Sequence, residues 1–223
     1  MHSQASEPVV SIATGLPRPT WRGLIHAWAF WLCIPAVVAL LVSAGTPDGK
    51  LGVAIYGASL AAVYGVSAAY HRLAITERAQ QIMRRLDHSM IFVLIAGTYT
   101  PVCLLALPPS WWIPLLAVVW SLTAVGVVVK LWGTGWIMKA SNALYLVLGW
   151  LALVALPMFL RTLAAPVLGL MVLGGVLYTL GAIVFYLQRP DPNPMIFGYH
   201  EIWHAFTVAA GVSHFVMVAL VIA

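Results

Sequence analysis

Seven long apolar stretches, separated by short polar connectors, run along the chain. Each is close to the roughly 20 apolar residues that a helix needs to cross a bilayer. The connectors contain Gly and Pro, as in GTPDGK (45–50) and QRPDPNPM (188–195), and these residues interrupt helices. The pattern predicts an all-α integral membrane protein, a bundle of seven transmembrane helices. The predicted spans are residues 24–44, 51–71, 87–107, 111–129, 142–160, 165–187 and 200–222.

Composition supports the bilayer as the solvent of this chain. Of its 223 residues, 62% are hydrophobic and 8% are charged, whereas soluble domains are about 25% charged. We expect residues 1–20 to form a short polar tail without a cleaved signal peptide, because they lack a cationic start followed by an apolar core. Residues 21–223 are predicted to form a single membrane domain. Cys33 and Cys103 lie in separate apolar runs and are predicted to be packing residues.

The basic residues predict the orientation of the bundle. Cytoplasmic connectors carry an excess of Lys and Arg, so the N-terminus is predicted to be cytoplasmic and the C-terminus outside. In this orientation two basic residues, Lys50 and Arg161, lie outside, and nine lie inside: Arg18, Arg22, Arg72, Arg78, Arg84, Arg85, Lys130, Lys139 and Arg189. Topology and attraction to anionic lipids therefore explain the net charge of +5. A nucleic-acid partner is not needed.

Four ionisable residues from three distant segments are predicted to lie at one membrane depth, near the cytoplasmic face. His71 ends the second span, Asp87 begins the third, and His200 and His204 begin the seventh. Ser67 precedes His71 by four residues and shares its helical face. Ionisable side chains within spans are costly and usually mark functional sites.

Three imidazoles without a sulfur ligand suit Zn²⁺, with a fourth position left for water. Zinc lowers the pKa of that water to about 7 and polarises carbonyl groups. Asp87 is then a candidate general base or a partner of a ligand, and Ser67 a candidate for binding water, substrate or backbone. The alternatives are interhelical hydrogen bonding by the histidines, stabilisation of a helix N-terminus by Asp87, and a bond from Ser67 to its own helix.

The other histidines and the acid of the last segment have weaker assignments. His26 is a candidate for lining the same cavity, His88 is predicted to face the interface, and His214 to pack by hydrogen bonding within the bundle. HEIWH (200–204) also matches the H-E-x-x-H signature of zinc metalloproteases, with Glu201 as base. An intramembrane metalloprotease is therefore one hypothesis. His71, as a competing third ligand, counts against it.

Three motifs in this order resemble the bacterial hemolysin III family, which is related to the progestin and adipoQ receptor group and to alkaline ceramidase-like hydrolases. They are SAAYH (67–71), LDHS (86–89) and HEIWH (200–204), and RGLIH (22–26) adds to the resemblance. The resemblance implies a seven-helix bundle in the bacterial cytoplasmic membrane. It further implies zinc on His71, His200 and His204, with Ser67 and Asp87 beside it.

The leading functional hypothesis is a zinc-dependent hydrolase of a lipid amide or ester, with zinc-bound water as the nucleophile. Its substrate, a membrane lipid, would enter laterally between helices. The alternative is a non-enzymatic protein, either a pore-forming lysin or a receptor-like protein with structural zinc. A pore needs polar stripes along whole helices, and spans four to six carry almost none.

Overall fold

The computed structural model describes Val10, Gly15 and residues 17–223, apart from the side chain of Lys139. Most of the predicted tail, residues 1–20, lies outside this described part. The helices are α1 (Leu24–Ser43), α2 (Pro47–Leu73), α3 (Glu77–Ala106), α4 (Pro109–Trp132), α5 (Gly135–Trp150), α6 (Leu156–Thr162), α7 (Ala165–Leu187) and α8 (Tyr199–Ile222), with a 3₁₀ segment at Leu151–Ala155.

Seven spans, long and apolar enough to cross a membrane, are present among the described residues. The fifth combines α5, the 3₁₀ segment and α6 over Gly135–Thr162. The predicted all-α bundle of seven transmembrane helices is therefore confirmed. The bounds of α1, α7 and α8 agree with the predicted spans to within one residue.

Helices α2 and α3 extend beyond their predicted spans because a helix does not end where its apolar residues end. Thr46 and Thr76 are the N-caps, and each side-chain hydroxyl accepts a hydrogen bond from the backbone N–H three residues on. With 30 residues, α3 is about 45 Å long, against a hydrocarbon core of about 30 Å. Asp87 consequently lies ten residues inside α3, so the interpretation of Asp87 as a helix N-terminal acid is wrong.

The fifth span is broken near its middle by the 3₁₀ segment Leu151–Ala155, just before Pro157, one of the in-span prolines expected to kink a helix. Pro157 has no backbone N–H and its ring crowds the carbonyl four residues earlier. The Tyr99 hydroxyl of α3 compensates for this break: it accepts a hydrogen bond from Ala152 N (2.6 Å) and lies 3.0 Å from Leu148 O and 3.1 Å from Gly149 O. Breaks of this kind persist in membranes where a neighbouring helix satisfies the freed backbone groups.

Helices α2 and α3 form the centre of the bundle. In the most apolar stretch of each span, the buried share is 50% for α2 and 56% for α3, against 17–28% for the other spans. α2 packs between α1 and α3, α7 packs on α8, and α8 also contacts α1, α2 and α3. This arrangement brings the C-terminal end of α2 beside the N-terminal end of α8.

Candidate metal centre

Three histidines from α2 and α8 meet at this junction. His71 ends α2, while His200 and His204 lie one turn apart on α8, as i, i+4 spacing requires. One ring nitrogen of each lies within 4.8 Å of the corresponding nitrogens of the other two. His71 and His204 are buried, at 6% and 3% exposure, and His200 is half-buried. The residues that the sequence predicted as metal ligands are thus brought together.

The geometry of the cluster fits a tetrahedral metal ion. The Nε2 atoms of His71 and His200 are 3.2 Å apart. Two nitrogens bound to tetrahedral zinc at about 2.0–2.1 Å would lie about 3.3–3.4 Å apart. The donor set, three imidazoles without sulfur, is also one that zinc uses in catalytic sites, where a fourth position stays open. The same 3.2 Å separation also suits a hydrogen bond between two neutral rings.

Ser67 and Asp87 form a second pair near the end of α2. Ser67 lies one turn before His71 and is 2% exposed. Its side chain interacts with the carboxylate of Asp87 on α3. The hydroxyl therefore orients an acid that is half-buried, at 16% side-chain exposure, on the helix beside the cluster.

An N-terminal strap, residues 17–23, holds the end of α2 in place. The Arg18 guanidinium donates to the backbone oxygens of His71 (2.9 Å) and Ala74 (2.5 Å), which are carbonyls at a helix C-terminus. Gly23 has φ +78°, and a Cβ there would lie 2.6 Å from the Cβ of His71. The strap therefore approaches His71, a candidate ligand, so closely that glycine is required. In the sequence Arg18 is recognisable only as a topology signal, because nothing local indicates that it binds the end of α2.

The strap is joined to α8 by a buried ion pair. Arg22 Nε donates to Glu201 Oε1 at 2.5 Å, and Glu201 Oε2 accepts from Gly198 N at 2.9 Å. Glu201 is 1% exposed. Both oxygens of its carboxylate are thus committed to holding the start of α8 and the strap.

His26 of α1 packs against the cluster. Its ring stacks on His204 with centroids 3.9 Å apart and an angle of 6° between the planes. Thr207 Oγ1 donates to His204 O and lies 2.8 Å from His26 Nε2. Since the hydroxyl proton is already used, His26 Nε2 must be the donor to Thr207. His26 Nδ1 is then a buried acceptor without a partner among the described residues.

The other two histidines lie outside the cluster. His214 Nε2 is 3.3 Å from Met171 O on α7, so it packs between helices by hydrogen bonding, as predicted. His88 Nδ1 lies 2.8 Å from Arg84 O on its own helix, and its ring lines a cleft at the end of α3. Cys33 and Cys103 are free and buried, consistent with packing.

A bundle of seven apolar spans with a histidine cluster at one end of its helices defines a multi-pass membrane protein with a candidate metal centre. The chain matches the family described as Haemolysin-III related over residues 14–215. It is 33% identical over 199 residues to Hemolysin-3 of Bacillus cereus, covering 87% of each chain. It is 34% identical over 197 residues to the Hemolysin-3 homolog of Bacillus subtilis (strain 168), covering 87% of this chain and 89% of the relative. The chain therefore belongs to the hemolysin III family.

Proposed function

We propose that this protein is a zinc-dependent integral membrane hydrolase that cleaves an amide or ester bond of a membrane lipid. The proposal rests mainly on three histidine nitrogens that lie within 4.8 Å of one another, at the packed ends of two helices. Structural hydrogen bonding alone needs no third imidazole. The proposal includes the predicted orientation, with this site near the cytoplasmic face of the bacterial cytoplasmic membrane.

His71, His200 and His204 would hold the ion as neutral imidazoles. When bound, zinc supplies a Lewis acid for a carbonyl group and lowers the pKa of a water molecule. Asp87 is the proposed group that accepts the proton of the attacking water and returns it to the leaving group. Ser67, which interacts with the Asp87 carboxylate, is the proposed residue that positions it.

The accessible side of the cluster favours an apolar substrate. His200 is the half-buried member of the three. Its ring is surrounded by Phe185 of α7 at 5.4 Å, centroid to centroid, and Tyr199 at 6.2 Å. Phe185 also contacts Trp203 at 5.8 Å. An aromatic border at the α7–α8 edge suits an acyl chain that enters laterally from the bilayer.

The contacts of Glu201 favour the lipid hydrolase over an intramembrane metalloprotease. A protease base must be free to take a proton from water beside the metal. Glu201 instead holds Arg22 and the Gly198 N–H, and it is 1% exposed. Its place in the H-E-x-x-H string is explained by capping of α8.

Two of the similar proteins are named for lysis, which keeps a lytic or receptor-like protein with structural zinc as the second candidate. The two candidates differ in whether a bound metal turns over substrate. Substitution of Asp87 separates them, because this residue is not one of the three proposed ligands.

The test is metal analysis of protein purified without chelators, together with a lipid-release assay in membranes. Wild-type protein is expected to hold one zinc and release fatty acid, and His204→Ala to lose both. His214→Ala, a histidine of the same helix outside the cluster, is the matched control and is expected to keep its zinc. Asp87→Asn is expected to keep zinc and lose product. A wild-type protein without zinc would refute the metal centre, whereas zinc without any lipid product would favour the second candidate.

A further inference from the structure

A second cluster of polar side chains lies between α3, α4 and α5, apart from the histidines. It lines a cleft of about 140 Å³. Lys130 of α4 is its innermost cation, at 3% exposure. Arg84 at the mouth is exposed and Arg85 half-buried. The lining residues are Arg84, Arg85, His88, Lys130, Met138 and Asn142.

Two of the three cations of this cleft, Lys130 and Arg85, have neutral partners. Lys130 Nζ donates to Asn142 Oδ1 (2.6 Å) and Met138 O (3.3 Å), and it lies 5.0 Å from the ring centroid of Tyr145. Arg85 donates to the backbone oxygen of Leu131. Among the described residues, no carboxylate lies within ion-pair distance of Arg84, Arg85 or Lys130. A buried charge is normally paired, so the missing anion is expected to come from a ligand.

The surroundings of the cleft place it at the level of the lipid headgroups. Trp132 ends α4 and Trp136 lies in the first turn of α5, and they are 71% and 76% exposed. Exposed tryptophans of this kind concentrate at membrane–water interfaces. Pockets that enclose a whole small molecule are about 300–1,000 Å³, so this cleft accommodates only part of a ligand. A lipid fits that description, because its acyl chains remain in the bilayer.

We propose that the cleft binds the phosphate group of a net-anionic membrane lipid. The Arg84 guanidinium, which has no hydrogen-bond partner among the described residues, meets the phosphate oxygens from the mouth, and Lys130 meets them from within. Guanidinium groups suit phosphate because their parallel N–H donors match its oxygens. Basic pockets between transmembrane helices are known sites for anionic headgroups. This site is independent of the proposed hydrolase chemistry.

The test is native mass spectrometry of the full chain in a non-ionic detergent. The probes are phosphatidylglycerol and phosphatidylcholine with identical acyl chains, supplied in equal amounts. The choline cation cancels the phosphate charge in the second lipid and would meet the basic cleft. Wild-type protein is expected to retain at least one phosphatidylglycerol molecule and to prefer this lipid to phosphatidylcholine about fivefold. This ratio is the effect expected of one basic residue at an anionic surface. Arg84→Gln and Lys130→Met are each expected to remove most of this preference.

Arg78→Gln is the matched control, since Arg78 is an exposed arginine of the same helix outside the cleft. It removes the same charge and is expected to leave the preference unchanged. Lys130 is buried, so if Lys130→Met fails to fold, the exposed Arg84→Gln decides alone. Equal retention of both lipids, or an Arg84→Gln variant that behaves like wild type, would overturn the proposal. A further arm adds inorganic phosphate, and displacement of the lipid by millimolar phosphate would assign the cleft to a soluble phosphate instead.

Discussion

Replacement of Arg22 by methionine removes the cation from the ion pair that joins the strap to α8. Arg22 Nε and Glu201 Oε1 are 2.5 Å apart, and the two side chains are 15% and 1% exposed. Methionine keeps much of the length of the side chain but leaves the carboxylate buried without its cation. Breaking a buried pair from one side costs about 3–5 kcal/mol. The hydrogen bond from Gly198 N, at 2.9 Å, remains and keeps the cost toward the lower end of that range.

The converse variant, Glu201→Gln, is expected to cost less. Glutamine keeps an oxygen for Gly198 N, and Arg22, the more exposed partner, can turn toward water. The loss is then about the 1.5–3 kcal/mol of one hydrogen bond to a charged group. The double variant Arg22→Met/Glu201→Gln should be more stable than Arg22→Met alone, because no buried charge is left unpaired.

The measurement is unfolding in mixed micelles by titration with dodecyl sulfate, followed by far-UV circular dichroism and tryptophan fluorescence. A double variant no more stable than Arg22→Met would refute the argument from the buried charge. Glu201→Gln should also retain zinc and lipid release. Full zinc occupancy with abolished hydrolysis in this variant would instead support Glu201 as a catalytic base, as the metalloprotease hypothesis requires.

Three further predictions concern the backbone near the cluster, the broken span and the metal. Gly23→Ala should destabilise the protein by more than about 1 kcal/mol and weaken zinc binding, because φ is +78° and the new Cβ meets His71; Gly45→Ala, which meets nothing within 4 Å, is the control in a zinc titration. Tyr99→Phe should cost about 1–3 kcal/mol in the same micelle titration, since it leaves the Ala152 N–H without its partner, and an unchanged midpoint would contradict this role. Removal of metal by a chelator should lower the unfolding midpoint and stop lipid release, and added zinc should restore both. An unchanged midpoint would argue against a metal ion bound by the three histidines.

The spans and the proposed ligands could be predicted from the sequence because each rests on a local pattern. Apolar length identifies a span without knowledge of its neighbours. His200 and His204 share a helical face by their spacing alone. Since α2 ends and α8 begins at the same predicted face, His71 could be expected at the same depth.

What the sequence did not predict depends on contacts between distant segments. The hydropathy pattern gives no sign that Tyr99 of α3 would satisfy the backbone at the break in the fifth span. The sequence around Arg18 and Arg22 is the same whether these residues merely face the cytoplasm or bind a helix end, so it does not distinguish the two roles. The early start of α3 at Glu77 was missed for a different reason, because its first ten residues are polar enough to leave the apolar window while remaining helical.

The order of synthesis gives the junction between α2 and α8 a further meaning. His71 and His200 are separated by 129 residues, which take roughly 6–26 s to translate at about 5–20 residues per second. During that interval His71 is the single proposed ligand in place, and the strap has no Glu201 to hold. Under the proposed metal binding, a nascent chain that stalls before its last helix would not retain the ion at this site. Metal capture would mark the insertion of a completed chain.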